Sequence, residues 1–405
     1  MLKDILQTLL SRYLVALLNL ALIFINARVL GIEGVGRAGL IWASVSINVS
    51  VCGIFSGNTL VYFLGRYSLG LLYPIAIGWT FAGSALGCAL LGLTGLLPGN
   101  YGWEILGLTI LYSLSVAHSR FLLGKNRIRG FNLTNLLQGG CLFFILLFFY
   151  FVVQRRDLNA YIWGLYLTNG VSFLVGLFLL LPCLKRSGQA APGRNNLLRI
   201  LREMLVYGLW GSADNIAETC TTRLNYFLVE RFAGPVGVGL LDAATKISES
   251  VWHISRSAAY IAYNRIAGTK DQREQRRITL EVLRFTFPAL VVATSAILFL
   301  PEEFYTGYLF GREFEGVRGV IAALSAGIVA LGCHTVLSHY FIGSGRIKYS
   351  AAASFIGLGV LTITAFLLIP AYGITGSALS TSIAYMAMLL FSASTFLRNY
   401  YMNWK

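Results

Sequence analysis

Charged residues are scarce in this sequence. Asp, Glu, Lys and Arg make up 12% of the 405 residues, whereas soluble proteins carry about 25%. Hydrophobic residues make up 56%, and apolar runs of about 20 residues, the length that spans a bilayer as a helix, recur along the chain. The composition excludes an ordinary soluble protein, and we expect a polytopic membrane protein.

The sequence also lacks the patterns that mark several other functions. Its six cysteines occur singly, without metal-binding or redox spacing. It has no GxxxxGK[ST] loop for ATP hydrolysis, and the GxGxxG match at 34–39 has no preceding strand, which a dinucleotide site requires. No acidic pair lies on a sizeable external loop, which argues against a membrane glycosyltransferase. We therefore expect no metal site, no cofactor and no enzymatic activity.

The fold class predicted from these runs is all-α, with about 12 transmembrane helices. If the N-terminus is cytoplasmic, the cytoplasmic segments hold 22 Lys and Arg residues and the opposite segments hold 7. Because cytoplasmic loops carry the excess of basic residues, we expect both termini inside and an uncleaved first helix. The predicted spans are 9–30, 38–64, 71–97, 104–123, 133–153, 160–182, 204–230, 236–262, 284–301, 318–342, 349–370 and 375–397.

The chain contains an internal repeat. The segment 28–36 (RVLGIEGVG) recurs at 231–239 (RFAGPVGVG), and 124–129 (GKNRIR) recurs at 343–348 (GSGRIK). The second pair of copies lies further apart than the first, and we expect a longer basic loop near 268–283 to explain this. Each half holds an even number of helices, so we expect an axis along the membrane normal and a substrate cavity between the halves. The predicted domains are 1–183, a basic cytoplasmic linker at 184–203, and 204–405.

The span 236–262 carries five polar or charged residues at steps of 4, 3, 4 and 3. At about 100° per residue, these side chains fall within an arc of roughly 80°. One charge at mid-bilayer depth costs about 2.5–3.5 kcal/mol, so this stripe must face protein or water. A charged groove inside a membrane protein indicates a substrate path. The stripe consists of Asp242, Lys246, Glu249, His253 and Arg256.

The preceding span carries a second polar stripe within about 60°, while Arg223 lies opposite Glu218 and does not simply join it. The two stripes fit a hydrophilic groove for a polar ligand or coupling ion. The alternative is a lattice of salt bridges that fixes packing, for example between Lys246 and Glu218 or Asp214. Within-helix pairing of Lys246 with Asp242 or Glu249 is also possible. The second stripe consists of Asp214, Glu218, Thr221 and Asn225.

The repeat places small residues in the first half where the second half has charges. When the first pair of repeated segments is aligned, the charged stripe falls on Gly39, Ala43, Ser46, Ser50 and Gly53. Small residues permit close helix approach or leave room for a bulky ligand. A further stripe on the first span, Arg12, Asn19 and Asn26, is expected to line the same cavity. His253 fits either proton coupling or a neutral hydrogen-bonded role.

Several segments resemble the Wzx-type polysaccharide and O-antigen flippases of the multidrug/oligosaccharidyl-lipid/polysaccharide (MOP) exporter superfamily, to which the MATE exporters are related. Four segments carry the resemblance. Two are the Gly-rich turns in 28–36 and 231–239, and the others are 223–228 (RLNYFL) and 243–249 (AATKISE). The likeness is most specific over about 25–47 and 203–267. Lys246 and Glu249 match residues common in that family, whereas Asn225 stands where many members have Asp.

The resemblance implies a multi-pass protein of the bacterial inner membrane. It implies passage of undecaprenyl-diphosphate-linked oligosaccharide units between leaflets by alternating access, with Na⁺ or H⁺ as a coupling ion. Expected partners are this substrate, membrane lipids, a polysaccharide polymerase and chain-length proteins; we expect a monomer and no nucleic acid. Candidate cavity residues are Arg12, Asn19, Asp214, Glu218, Arg223, Asn225, Asp242, Lys246, Glu249, His253 and Arg256.

Two other functions compete with this interpretation. A cation-coupled multidrug exporter of the same fold should tolerate apolar cations and carry fewer basic residues in its cavity. A membrane polysaccharide polymerase or ligase should show a large external loop with paired Arg or acidic residues, and none is present in the sequence.

Overall fold

In a computed structural model of the protein, residues 2–186, 194–269 and 271–401 are described, and they form helices but no strand. The all-α fold class is therefore confirmed. We number the membrane-length helices in chain order and divide three double-length helices at an internal bend. They are α1 (2–30), α2 (32–56), α3 (Leu69–Leu93), α4 (Gly102–Gly124), α5 (Ile128–Leu147), α6 (Leu158–Arg186), α7 (194–233), α8 (235–268), α9 (Gln272–Phe299), α10 (Val317–Gly343), α11 (347–372) and α12 (374–401).

Each double-length helix bends at one glycine. Gly31 has φ 68° and ψ 177°, Gly234 has φ 65° and ψ −173°, and Gly373 has φ 56° and ψ −131°. The first two conformations are accessible almost only to glycine, because a Cβ atom would clash with the backbone. Gly31 and Gly234 occupy the same place in the two copies of the first repeated segment, so the backbone bend is repeated together with the sequence.

The second repeated segment also has a matching backbone. Asn126 (φ 59°) and Gly345 (φ 75°), which correspond in the two copies, both adopt left-handed conformations. In each case the next residue, Arg127 or Arg346, donates its backbone N–H to the carbonyl five residues earlier, over 2.9 Å and 2.7 Å. This is the Schellman pattern that ends a helix. The duplication is thus visible in torsion angles as well as in sequence.

The expected basic loop at 268–283 is wrong. Asp271 caps the start of α9, accepting a backbone N–H through its side chain. Arg277 and Glu281 then form an i,i+4 ion pair of 2.9 Å on the helix surface. The extra residues of the second half lie mainly in the connection 300–316, which carries two short helical turns.

The described chain forms two compact units. The first takes the residues up to Leu22 and Leu40–Ile216, and the second takes Ile23–Gly39 and the residues from Ala217 onward. The core of the first contains Leu60, Phe63, Leu72, Phe121 and Leu180. A core of the second contains Ile266, Leu337, Tyr340, Phe341 and Phe396. The predicted domain division stays a prediction, because residues 187–193 of the linker lie outside the described ranges.

Large apolar side chains on the helix surfaces fit a lipid environment. On α6 they recur at steps of 4, 7, 4 and 3, which places them on one exposed face: Trp163, Leu167, Leu174, Phe178 and Leu181. Within the described ranges, eight helical stretches are long and apolar enough to cross a membrane, and two of them, Leu17–Phe63 and Ile347–Arg398, contain a bend and the length of two spans. The helix that contains α7 and α8 is also longer than two spans, but it carries the charged stripe and is therefore not among these eight apolar stretches.

Helices α2 and α8 approach each other through glycine in the second unit. A Cβ atom on Gly36 would lie 1.9 Å from the carbonyl oxygen of Pro235, and one on Gly239 would lie 2.0 Å from that of Ile32. In the sequence repeat, Gly36 corresponds to Gly239 and Ile32 corresponds to Pro235. The glycine of each repeated segment therefore packs against the same backbone carbonyl of the other segment. These carbonyls belong to the backbone, so a side-chain rotamer change cannot make room for a methyl group.

We expect Gly36→Ala and Gly239→Ala each to destabilise the protein by about 1–3 kcal/mol, because the helices must separate to admit the methyl group. Thermal unfolding in detergent should show a lower midpoint for both. Gly319→Ala is the matched control, since its Cβ would meet no atom within 4 Å. Unchanged midpoints for both crossing variants would contradict this packing.

Candidate functional site

Two charged residues of the α8 stripe pair with each other. Lys246 Nζ lies 2.6 Å from Asp242 Oδ2. The Asp242 side chain is 2% exposed and that of Lys246 is 24% exposed. One turn of helix separates the two residues, so the predicted within-helix pairing is present. The pair lowers the cost of holding a carboxylate in an almost fully buried position.

Arg223 of α7 pairs with the third member of the stripe. Its Nη2 donates to Glu249 Oε1 over 2.7 Å, with exposures of 14% and 29% for the two side chains. Arg223 is predicted to lie off the α7 stripe and to face a different neighbour, and in the structure its partner is Glu249 of α8. Helical spacing within α7 alone does not determine which face of α7 lies against α8.

Tyr226 joins the two ion pairs into one chain. Its hydroxyl donates to Asp242 Oδ1 over 3.1 Å and accepts from Arg223 Nη1 over 3.3 Å. The Arg223 guanidinium carbon also lies 5.6 Å from the centre of the Tyr226 ring, within the range of a cation–π contact. We call Lys246, Asp242, Tyr226, Arg223 and Glu249 the ion-pair chain. It contains two cations and two anions.

The sequence did not single out Tyr226 as a site residue. The available signal was its spacing: Tyr226 follows Arg223 by three residues and so lies on the same face of α7. A tyrosine hydroxyl donates and accepts at once, which is what a group between an arginine and a carboxylate must do.

Gly39 provides the space for the ion-pair chain. A Cβ atom there would lie 3.2 Å from Asp242 Cγ and 3.3 Å from Tyr226 Cε1. Gly39 is the counterpart of Asp242 in the first copy of the repeat. Because Gly39 has no side chain, the Asp242 carboxylate of the other repeated segment fits against it. Of the two roles predicted for small residues, the structure supports close helix approach at this position.

Asn225, a predicted cavity residue, is used in helix packing. Its Nδ2 donates to the Ser377 carbonyl over 3.0 Å, to Ser380 Oγ over 3.2 Å and to Thr381 Oγ1 over 2.6 Å. The residue is 3% exposed. These bonds tie α7 to α12. Because a carbonyl can only accept, the amide orientation is fixed, and Asn225 Oδ1 has no hydrogen-bond partner among the described residues.

A small cavity adjoins Asn225 and Tyr226, and apolar and polar side chains line it together. Its volume is about 10 Å³, room for about one water molecule. Side chains with hydroxyl or N–H groups contribute to its wall, among them Thr222, Thr245, Ser248, Trp252 and Tyr385. Asn225, whose Oδ1 has no hydrogen-bond partner among the described residues, is one of the residues that line this cavity.

The structure leaves His253 and Arg256 outside the ion-pair chain. Both lie further along α8 than Glu249, both are exposed, and neither forms a hydrogen bond or ion pair with any residue that the structure describes. They extend the polar face of α8 beyond the paired residues. Arg256 is therefore a cation that the described part of the chain does not neutralise by direct contact.

The remaining predicted residues have different environments. Asp214 is buried and belongs to the first unit, whereas Glu218, one turn later, is partly exposed and belongs to the second. Asn19 is exposed in the first unit. The side chain of Arg12 lies outside the described residues. Among the described residues, no group of three or more His, Cys, Asp or Glu is placed to hold a metal ion.

We expect Lys246→Gln to destabilise the protein by about 1–3 kcal/mol, because it leaves the buried Asp242 carboxylate without its cation. The double variant Asp242→Asn/Lys246→Gln should be more stable than Lys246→Gln alone, since neither remaining group is charged. Denaturation of the four proteins in a double-mutant cycle measures this coupling. If the losses of unfolding free energy in the two single variants add up to the loss in the double variant, the two side chains do not interact.

Comparison with known proteins agrees with this architecture. No protein-family model matches the chain. Over 258 residues it is 20% identical to the probable low-salt glycan biosynthesis flippase Agl15 of Haloferax volcanii, a match that covers 63% of this chain and 51% of that protein. The match thus spans about half the length of the relative.

Solved structures share the fold over nearly the whole chain. The lipid II flippase MurJ superposes with a TM-score of 0.70 at 13% identity, covering 98% of this chain and 87% of that one. A multidrug resistance MATE family transporter of the MOP superfamily gives 0.69 at 15% identity, covering 95% and 94%. The multidrug transporter DinF-BH gives 0.66 at 16% identity, covering 97% and 94%. The resemblance to the flippases and exporters of the MOP superfamily is confirmed, and the chain has their fold.

Proposed function

We propose that this protein is a flippase for a diphosphate-linked glycan carried on a polyprenyl lipid such as undecaprenol. The observation that carries the proposal is the ion-pair chain, which holds two cations and two carboxylates on helices of membrane length. The likeness to a glycan biosynthesis flippase supports the same substrate class. Polar sugar and charged phosphate cannot cross hydrocarbon unaided, so a transporter must offer them a polar path.

The two cations of the ion-pair chain, Lys246 and Arg223, have the chemistry to bind a diphosphate. Lys246 supplies a compact ammonium and Arg223 a planar guanidinium that can bind two phosphate oxygens at once. Both are already paired, so an incoming diphosphate would compete with Asp242 and Glu249 for them. Arg256 has no such competitor among the described residues and is the cation that a diphosphate would meet at least cost.

Competition for the cations offers a route to ion coupling. When a diphosphate takes Lys246 and Arg223, the released Asp242 and Glu249 carboxylates need another positive charge, which Na⁺ or H⁺ can supply. Departure of the diphosphate restores the ion pairs and expels the cation. Binding of the two ligands is then linked through the same side chains, and each biases the conformational equilibrium that gives alternating access.

The proposed setting is the bacterial inner membrane, with both termini in the cytoplasm and the protein acting as a monomer. The polysaccharide polymerase and chain-length proteins would act on the transported unit after it has crossed. The basic residues on the predicted cytoplasmic segments support this orientation.

Transport of a fluorescent lipid-linked oligosaccharide in proteoliposomes tests the proposal. The protein alone should move it, and Arg223→Gln and Lys246→Gln should each lower the initial rate about tenfold or more, the effect of losing one charge-assisted contact. Arg277→Gln, which alters an exposed ion pair on α9, is the control and should transport normally.

Movement of ethidium without movement of the lipid-linked sugar would overturn the flippase and favour a multidrug exporter. Normal transport by folded Arg223→Gln and Lys246→Gln would remove the ion-pair chain from the mechanism.

The ion-coupling proposal has its own test. In proteoliposomes with an imposed Na⁺ or pH gradient, the wild type should transport faster than without one, and only one of the two gradients should be effective. Asp242→Asn, which cannot neutralise a cation, should abolish that stimulation and retain slower downhill transport. Equal stimulation of Asp242→Asn and wild type would exclude this carboxylate as a coupling group.

A further inference from the structure

The turn between α4 and α5 carries a groove that the proposed transport does not use. Its volume is about 500 Å³, it opens to the surface, and it belongs to the first unit. Ile128 and Leu179 form accessible apolar parts of its wall, Leu122 lies buried behind them, and Asn126, Arg127 and Arg129 are its polar residues. We call it the α4–α5 groove.

The charge of the groove is not neutralised locally. Arg129 is exposed and forms no hydrogen bond or ion pair with any residue that the structure describes. Arg127 donates from Nη1 to the Leu179 carbonyl over 2.9 Å, which holds its guanidinium at the wall. The sequence has no Asp or Glu between Glu104 and Asp157, and no acidic residue lines the groove. An anion would therefore find two cations without competition.

The backbone adds donors at the same place. Asn126 adopts the left-handed conformation that ends the α4 turn, and α5 begins two residues later. No side chain in the described ranges caps the start of α5. Its first N–H groups have no carbonyl partner within the helix, and the positive end of the helix dipole favours an anion there. Guanidinium groups and free N–H groups together are the usual ligands of a phosphate.

The position and the apolar wall indicate which phosphate fits. The groove lies where the membrane-length helices α4 and α5 end and begin, which is where helices that span a bilayer reach the lipid headgroups. The charge distribution predicts this side to be cytoplasmic. Leucine and isoleucine next to arginine suit a molecule that is charged at one end and apolar at the other. A free phosphate would leave the apolar wall without a partner.

We propose that the α4–α5 groove binds the phosphate of an anionic phospholipid from the cytoplasmic leaflet, with an acyl chain against Ile128 and Leu179. The lipid would hold α4, α5 and α6 together at this end. This site does not depend on the proposed transport, because none of its residues belongs to the ion-pair chain.

Thermal unfolding of the purified full-length protein with added lipid tests this site. Phosphatidylglycerol should raise the unfolding temperature in a saturable way, whereas phosphatidylcholine and inorganic phosphate should not. Arg129→Gln, which breaks no hydrogen bond or ion pair with the described residues, should weaken the apparent affinity about fivefold, and Arg127→Gln/Arg129→Gln about 30-fold, following about 1 kcal/mol for each basic residue near an anionic surface.

The matched control is Arg155→Gln/Arg156→Gln, which removes two exposed charges from the predicted opposite side and should respond like the wild type. An unchanged response of Arg129→Gln and the double variant would overturn the proposal. So would an equal loss in the control, which would indicate unspecific attraction, or an equal shift with inorganic phosphate, which would show that no lipid is required.

Discussion

An ionised side chain at bilayer depth must be paired or face water, and the polar residues of the second unit of this protein meet that constraint. Each unpaired charge would cost about 2.5–3.5 kcal/mol at the centre of the membrane. The structure meets this cost with two cation–carboxylate pairs, and Tyr226 links them so that Asp242 and Arg223 gain further hydrogen bonds. In the proposed function, an anionic ligand takes these cations from their carboxylate partners by exchange.

The glycine-rich turns make this arrangement possible. Gly31 and Gly234 turn the chain sharply between consecutive helices, and Gly36 and Gly239 then let α2 and α8 come into backbone contact. Gly39, one helical turn further, leaves room for Asp242 and Tyr226. Close approach of the two repeated segments within the second unit and burial of Asp242 are thus consequences of the same short glycine-rich sequence.

Much of the fold could be predicted from the sequence, because hydropathy identifies the segments that are long and apolar enough to span a membrane as helices. The start of α9 could not be predicted, because a run of basic residues is equally polar in a loop and on the exposed face of a helix. Within the site, the stripe on α8 and the Asp242–Lys246 pair followed from helical spacing. The partner of Arg223 and the packing role of Asn225 depend on which faces of neighbouring helices meet, and periodicity within one helix carries no such information.

The central claim is that the polar face of α8 borders water and not lipid. Electron paramagnetic resonance of a spin label at His253→Cys, in a variant whose native cysteines are replaced by alanine, tests this directly. The label at this exposed position of the polar face should collide more with a water-soluble nickel complex than with oxygen, and a label at Phe178→Cys on the apolar face of α6 should show the reverse. High oxygen and low nickel accessibility at position 253 would place the charged face in the hydrocarbon and contradict the account.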